Sequence, residues 1–412
     1  MNDAPLEDRV HDGLHRRVDT LQRAPLTVTD VRTRARRIQR GRRAVAGAAV
    51  AAVLAVAVPL GLAATGPTQR SDVPPATDPP APAVAGTVRI DPRSAPVGGA
   101  SAVPLINVDD PSLVVDGEKT PLPRDYHQLT PYLDGWAGLT VSDEPAGWIQ
   151  TLQVLDADFG VLDEATSASV LAVSSDASRL AWAEYDGGRW VLVDRAADGA
   201  RDERRTPLPL GPEQADVRPV GFLPGEAMVV SRTDPATGDE SALVVSPDGA
   251  TTPVPGFIHP GSADPVGGLV SGQTSFSGDG SCWQVRDAVT EGAPVVWRTC
   301  DYSVLAFSPD GRHVLGFTDY LTPDGSPTLA ILDAASGERV VDFELAGART
   351  GVVGINPEVA WEDDDTLVAA VVTGGRQYAV RLGLDGTVER VGGAGVEVRP
   401  GAVALKVAAA AG

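Results

Sequence analysis

Residues 307–317 read Phe-Ser-Pro-Asp-Gly-Arg-His-Val-Leu-Gly-Phe. Pro-Asp-Gly makes a tight turn, and the apolar residues on either side read as two short strands joined by it. Related segments lie on both sides along the chain, each with a turn holding Asp or Gly, an apolar strand, a polar turn and a second apolar strand. Residues 174–184 lead in this way to 190–194, 222–231 to 242–249, and 276–285 to 294–298. Segment 307–317 leads to 329–333 and 336–341, and 361–371 leads to 378–382 and 385–388. A composition of 45 Gly and 34 Pro with only 5% aromatics in 412 residues suits many short strands and many turns.

Through Phe307, Ser308, Pro309, Asp310 and Gly311 the segment resembles the blade signature of TolB-like and WD-repeat-like β-propellers; the other copies are degenerate. The resemblance covers about residues 103–407. It implies an all-β fold in which the Pro-Asp-Gly turn joins the innermost strand of a blade to the second, with Phe and the following apolar residues packed between neighbouring blades. Residues 136–162, 170–210, 217–255, 269–299, 304–345 and 352–391 each read as one blade. The pieces 396–407 and 103–122 pair as two halves of a seventh, closing the ring and removing exposed sheet edges. About seven blades is the expectation; six, eight, or another all-β sandwich array are the alternatives.

The charge is uneven along the chain. Lys+Arg number 34 and Asp+Glu 55, for a net −21, which disfavours nucleic-acid binding by basic charge. Residues 1–43 carry eleven arginines and six acids, so the remainder carries −26. Seven of those arginines, among them Arg36, Arg37, Arg40, Arg42 and Arg43, crowd the twelve positions before residues 44–64, a stretch without charge. At 1.5 Å per residue these 21 residues span about 31 Å, a hydrocarbon thickness. The expectation is a retained signal-anchor and a single-pass chain, its N-terminus cytoplasmic and its C-terminal domain extracytoplasmic. Residues 65–86, rich in proline, read as an extended spacer before a domain at 87–412.

The tail resembles the N-terminal segments of actinobacterial membrane proteins, some of them encoded beside extracytoplasmic-function sigma factors. Leu6, Val10, Leu14, Val18 and Leu21 mark one face of a short amphipathic helix that could dock a cytoplasmic protein. The His-x3-Cys-x2-Cys pattern of zinc-type anti-sigma domains is absent from it. His11 and His15 stand one helical turn apart without a third ligand, and a solvated face accounts for them.

Cys282 and Cys300, the only cysteines, have their midpoint at 291, in the turn between two expected antiparallel strands. That spacing sets them opposite one another, and an oxidising compartment makes them a cross-strand disulfide. No Gly-x-Ser-x-Gly elbow, His-Glu-x-x-His motif, phosphate loop or EF-hand loop occurs, so no catalytic, cofactor or metal residue is nominated. His127 and His259 fall in expected loops and His313 at a packing position; Asp363, Asp364 and Asp365 fit a turn better than a calcium site. Trp182, Trp190, Trp283, Trp297 and Trp361 fit blade packing. The expectation is a non-enzymatic binding or sensing scaffold, its ectodomain monomeric, for a protein or envelope ligand. A propeller hydrolase or lyase acting on cell-surface polymer, and a regulator whose tail binds a sigma factor, are the alternatives.

Overall fold

The computed structural model describes residues 86–144, 147–166, 169–196, 203–209, 216–234, 237–238, 240–277, 280–318, 325–347, 354–399 and 403–408. Its strands form seven sheets, each built on four antiparallel strands, the blades of a β-propeller. Blade 2 is β5 (Gln128–Tyr132), β6 (Gly135–Glu144), β7 (Gly147–Leu155) and β8 (Val161–Thr166). Blade 3 is β9 (Ala172–Val173), β10 (Arg179–Asp186), β11 (Arg189–Ala196) and β12 (Glu203–Pro207). Blade 4 is β13 (Asp216–Phe222), β14 (Met228–Thr233), β15 (Glu240–Val245) and β16 (Thr251–Val254). Blade 5 is β17 (His259–Ala263), β18 (Leu269–Ser277), β19 (Gly280–Asp287) and β20 (Val295–Thr299). Blade 6 holds β21 (Ser303–Phe307), β22 (His313–Phe317), β23 (Thr328–Asp333) and β24 (Arg339–Leu345). Blade 7 is β25 (Gly354–Trp361), β26 (Thr366–Thr373), β27 (Arg376–Gly383) and β28 (Val388–Glu397).

Blade 1 closes the ring. Its β2 (Leu105–Asn107), β3 (Ser112–Val115) and β4 (Glu118–Pro121) come from the start of the domain, and its innermost strand β29 (Leu405–Val407) from the end. The register is Leu105 with Val407, Ile106 with Lys406 and Asn107 with Leu405. The expected pairing of the chain's last strand with its first is therefore present, but only β29 crosses over, because residues 396–397 finish β28 of blade 7. The expected blade starts at 136 and 269 also move. Each omitted an inner strand, β5 and β17, whose Pro131, Pro260 and Gly261 disguise them.

The reason these sequences form blades is visible in their burial. Middle strands are covered on both faces by neighbouring sheets, so β26 (Thr-Leu-Val-Ala-Ala-Val-Val-Thr) carries an unbroken apolar run over 367–372 and has seven of its eight residues buried. Seven apolar clusters fill the seven gaps between successive blades. That between blades 6 and 7 holds Phe317, Phe343, Leu367 and Val380, all at 0% exposure; burying each such side chain contributes about 1.5–3 kcal/mol. Trp182, Trp190 and Trp283 lie in these layers as expected.

One strand lies outside the four-stranded plan. β1 (Thr87–Ile90) pairs in parallel with β24, giving blade 6 a fifth strand. The chain then crosses the outer strand of blade 7, where Gly98 N donates to Arg390 O and Arg390 N to Pro96 O. The strap ends where Ser101 Oγ and Ala102 N donate to Glu362 Oε1 at 2.8 and 3.1 Å, before Val103 enters the layer between blades 7 and 1.

No helix among the described residues is long and apolar enough to cross a membrane. The expected span at 44–64, the arginines before it and the tail helix lie outside the described residues.

Candidate functional site

The signature turn is built as its sequence dictates. Ser308 Oγ donates to Asp310 Oδ1 at 2.6 Å, Arg312 N donates to the same oxygen, and His313 N donates to Ser308 Oγ. Gly311 takes φ 71°, and a Cβ there would fall 2.5 Å from Asp264 Oδ1 of blade 5, so glycine is required both for its conformation and for the close approach. Asp264 is fully buried and accepts from Val266 N and Gly267 N at 2.8 and 2.9 Å; burial raises its pKa above the ordinary carboxylate value. The same turn recurs in blade 3, with Ser174 Oγ on Asp176 Oδ1 at 2.6 Å and Arg179 N on Ser174 Oγ at 2.9 Å.

In an up-and-down blade every turn from first to second strand falls at one end of the ring, and these turns surround one mouth of an axial channel. A cavity of about 140 Å³ lies there, lined by Val173, Phe222, Ala263, Ala306, Phe307 and Trp361 together with Ser174, Ser175, Pro265, Ser308, Pro309, Val359 and Ala360. A second cavity, of about 390 Å³, lies further along the axis among Ile106, Leu129, Val170, Leu305, Val407 and the polar groups of His127, Gln128, Glu358 and Lys406. Ala306 and Val359 line both, so the inner strands β21 and β25 run from one cavity into the other. The two ends differ in chemistry: one is aromatic, whereas the other carries a cation, a carboxylate, an imidazole and an amide.

Polar side chains hold the walls of the channel. Gln128 spans blades 2 and 3, donating to Leu171 O and accepting from Leu171 N, both at 3.0 Å. Ser262 Oγ donates to Leu305 O at 2.6 Å, tying blade 5 to blade 6. The inner strands are thus fixed by side chains whose hydrogen bonds cross between sheets, and the channel lining is pre-formed.

No protein-family model and no curated protein matches the chain. Solved structures are similar in fold. The β-propeller domain of the Trilobed protease from Pyrococcus furiosus superposes with a TM-score of 0.45 at 10% identity, covering 65% of this chain and 86% of that one. Prolyl oligopeptidase B from Galerina marginata gives 0.47 at 10%, covering 67% of this chain but only 42% of that one. TolB from Acinetobacter baumannii gives 0.38 at 14%, covering 76% and 67%. At these identities each is a likeness of fold alone.

The residues singled out in the sequence scatter over this frame. Cys282 and Cys300 are disulfide-bonded, with Cα atoms 4.0 Å apart, at the far end of the β19–β20 pairing from its turn. They hold blade 5 together and take no part in the channel. His313 follows the signature turn; burial lowers its pKa, and its ring stacks on Trp361 with centroids 6.3 Å apart. His259, expected in a loop, instead opens β17 and places Nδ1 2.8 Å from Glu240 Oε1 of blade 4. His127 alone of the three histidines reaches the channel, at its polar end. Asp363, Asp364 and Asp365 form the turn before β26, as expected, and no group of three metal-ligating side chains occurs among the described residues. Lys406 and Glu358 were not singled out in the sequence. Nothing local marks them, because each is one residue of a different inner strand.

Proposed function

We propose that the chain is a membrane-anchored, extracytoplasmic propeller that binds a protein or small ligand in its axial channel without catalysing a reaction. The observation that carries this reading is the lining: two cavities sharing Ala306 and Val359, apolar along their length, with a few convergent polar groups at one end. Concave, mostly apolar, pre-formed sites of this kind are what ligands occupy. Hydrolysis of a glycan by the common route uses two carboxyl groups flanking the bond. Among the described residues lining these cavities, Glu358 is the one carboxylate. The charge pattern of residues 1–43 and the uncharged stretch 44–64 support the anchor, with the tail inside and available to a cytoplasmic protein.

The test is a blocked channel. Ala306→Phe fills the point where the cavities meet, and a compound or envelope protein that raises the melting temperature of the full chain should lose that effect in the variant. Retained stabilisation would place binding elsewhere. Turnover of a cell-surface polymer by the purified chain, abolished in Glu358→Gln, would overturn the non-enzymatic reading.

A further inference from the structure

Three inner strands leave their ladder where they line the larger cavity. β17 shifts register between Pro260 and Ala263, β21 between Val304 and Phe307, and β25 between Ile355 and Val359. Residues released by these shifts, Gly261, Ser262, Leu305, Ala306, Pro357 and Glu358, line the cavity of about 390 Å³. A bulge re-aims the side chains it carries, and the irregularity of β25 is fixed where Glu358 N donates to Asn356 Oδ1 at 2.8 Å.

The charged groups of this cavity come from three successive blades. Glu358 belongs to β25 of blade 7, Lys406 to β29 of blade 1, and His127 directly precedes β5 of blade 2. β25 and β29 are neighbouring inner strands. Lys406 and Glu358 nevertheless make no ion pair with each other, and neither side chain has a hydrogen-bonding or ion-pair partner among the described residues. At the aromatic end, by contrast, Glu226, Asp310 and Glu362 are all ion-paired. The backbone that presents Lys406 is held from blade 7 by Gln377, which accepts from Leu405 N at 2.8 Å and donates to Leu405 O at 3.0 Å. Lys406 is half-buried and Glu358 exposed, so this end is open to a ligand from solvent.

An occupant with one charge would satisfy one of these side chains and leave the other unpaired beside displaced water, at a cost. A zwitterion satisfies both, and an α-amino acid carries its ammonium and carboxylate on one carbon. The remaining lining is mostly apolar, with Ile106, Leu129, Val170, Leu305 and Val407. Gln128 and Ser262 direct their hydrogen bonds into the walls, so they make no demand on the occupant's side chain. The volume lies within the roughly 300–1,000 Å³ of small-molecule sites.

We propose that the polar end of the channel binds a free apolar α-amino acid, its carboxylate on Lys406, its ammonium on Glu358 and its side chain against Leu129, Val170 and Leu305. This rests on the reading of the channel as a binding site and adds the class of the occupant and the end at which it sits.

The test titrates the full chain, in a non-ionic detergent at pH 7, by calorimetry with three compounds. They are L-leucine, L-leucinamide, which lacks the carboxylate, and N-acetyl-L-leucine, which lacks the ammonium. Leucine should bind most tightly and each analogue about ten-fold more weakly, the scale of one lost hydrogen bond to a charged group. Two substitutions assign the partners. Lys406→Gln should weaken leucine to the level of leucinamide without weakening leucinamide, and Glu358→Gln should weaken leucine to the level of N-acetyl-leucine without weakening N-acetyl-leucine. The analogue whose affinity is kept shows that each variant is folded. No binding of leucine, equal binding of the three compounds, or unchanged preferences in both variants would overturn the assignment. If leucine fails while another compound's stabilisation is lost in Ala306→Phe, the amino-acid assignment falls and the channel reading stands. Leucine binding that survives Ala306→Phe, Lys406→Gln and Glu358→Gln lies outside the channel and overturns both.

Discussion

Ala177 holds φ 56°, the left-handed region, at the turn position of blade 3 that Gly311 fills in blade 6 at φ 71°. The surrounding hydrogen bonds are the same, so the Ser-x-Asp-x-Ser turn forces alanine into a conformation that costs a residue with a Cβ about 1–2 kcal/mol. Ala177→Gly removes that cost and returns part of it as backbone entropy, for a net gain of about 0.5 kcal/mol. The midpoint of urea unfolding should rise; a fall would mean the turn relaxes around alanine. Glu362 offers a second test. Hydrogen bonding from Arg381 holds its pKa below the ordinary 4.5, against the opposing effect of burial and helped by Ser101. A carboxylate whose folded pKa is depressed contributes stability above its unfolded pKa and loses it as the pH falls through the folded value. Glu362→Gln should therefore be less stable than the parent at pH 7 by about 2 kcal/mol, the size of hydrogen bonds to a charged group. That gap should close below pH 4. A gap constant from pH 7 to pH 3 would show that shape, not charge, is what Glu362 supplies.

At the level of strands, the disulfide shows what a sequence can fix at long range. The β19–β20 register pairs Trp283 with Thr299, so the next step places Cys282 against Cys300, as the midpoint at 291 requires. Antiparallel pairing keeps the sum of paired residue numbers constant, and one turn determines every pair beyond it. The bulge between Val285 and Arg286 lies on the turn side and shifts the turn without moving the cysteines out of line. Reduction, or Cys282→Ser with Cys300→Ser, should cost about 3 kcal/mol by loop closure for a separation of 18 residues, read as a lower denaturant midpoint. An unchanged midpoint would mean the reduced hairpin is already ordered when the protein unfolds. The inner strands were less legible for a related reason. The stretch His-Pro-Gly-Ser-Ala of β17 faces a channel on one side, so it carries none of the apolar run that marks β26. Of the candidate site, the signature residues Phe307, Ser308 and Pro309 at the aromatic end were legible, whereas the polar end was not, because β5, β21, β25 and β29 each contribute only two or three residues to it and no motif spans them.

For the whole molecule, the ring is closed by a short strand, β29, which offers three paired residues to β2. Two features support it. Gln377, fully buried in blade 7, accepts from Ala404 N and Leu405 N at 2.8 Å and donates to Leu405 O at 3.0 Å, clamping the closing strand from the neighbouring sheet. The strap runs from β1 on blade 6 across blade 7 to Glu362, so it joins blade 6 to blade 1 without using β29. These features fail differently. Gln377→Leu leaves the strand in place but strands three backbone groups away from water, each costing about 1–3 kcal/mol if unsatisfied. It should lower the denaturant midpoint while keeping a single transition. Removing residues 403–412 takes away the inner strand of blade 1 and the buried Val407 and Ala408. Blades 1 and 7 would then share only part of their apolar layer, and the transition should split or broaden, with proteolysis first in residues 103–122. If the truncated chain instead unfolds in one sharp transition at the parent midpoint, the strap and the layer between blades 7 and 1 hold the ring, and β29 serves only to line the channel with Lys406.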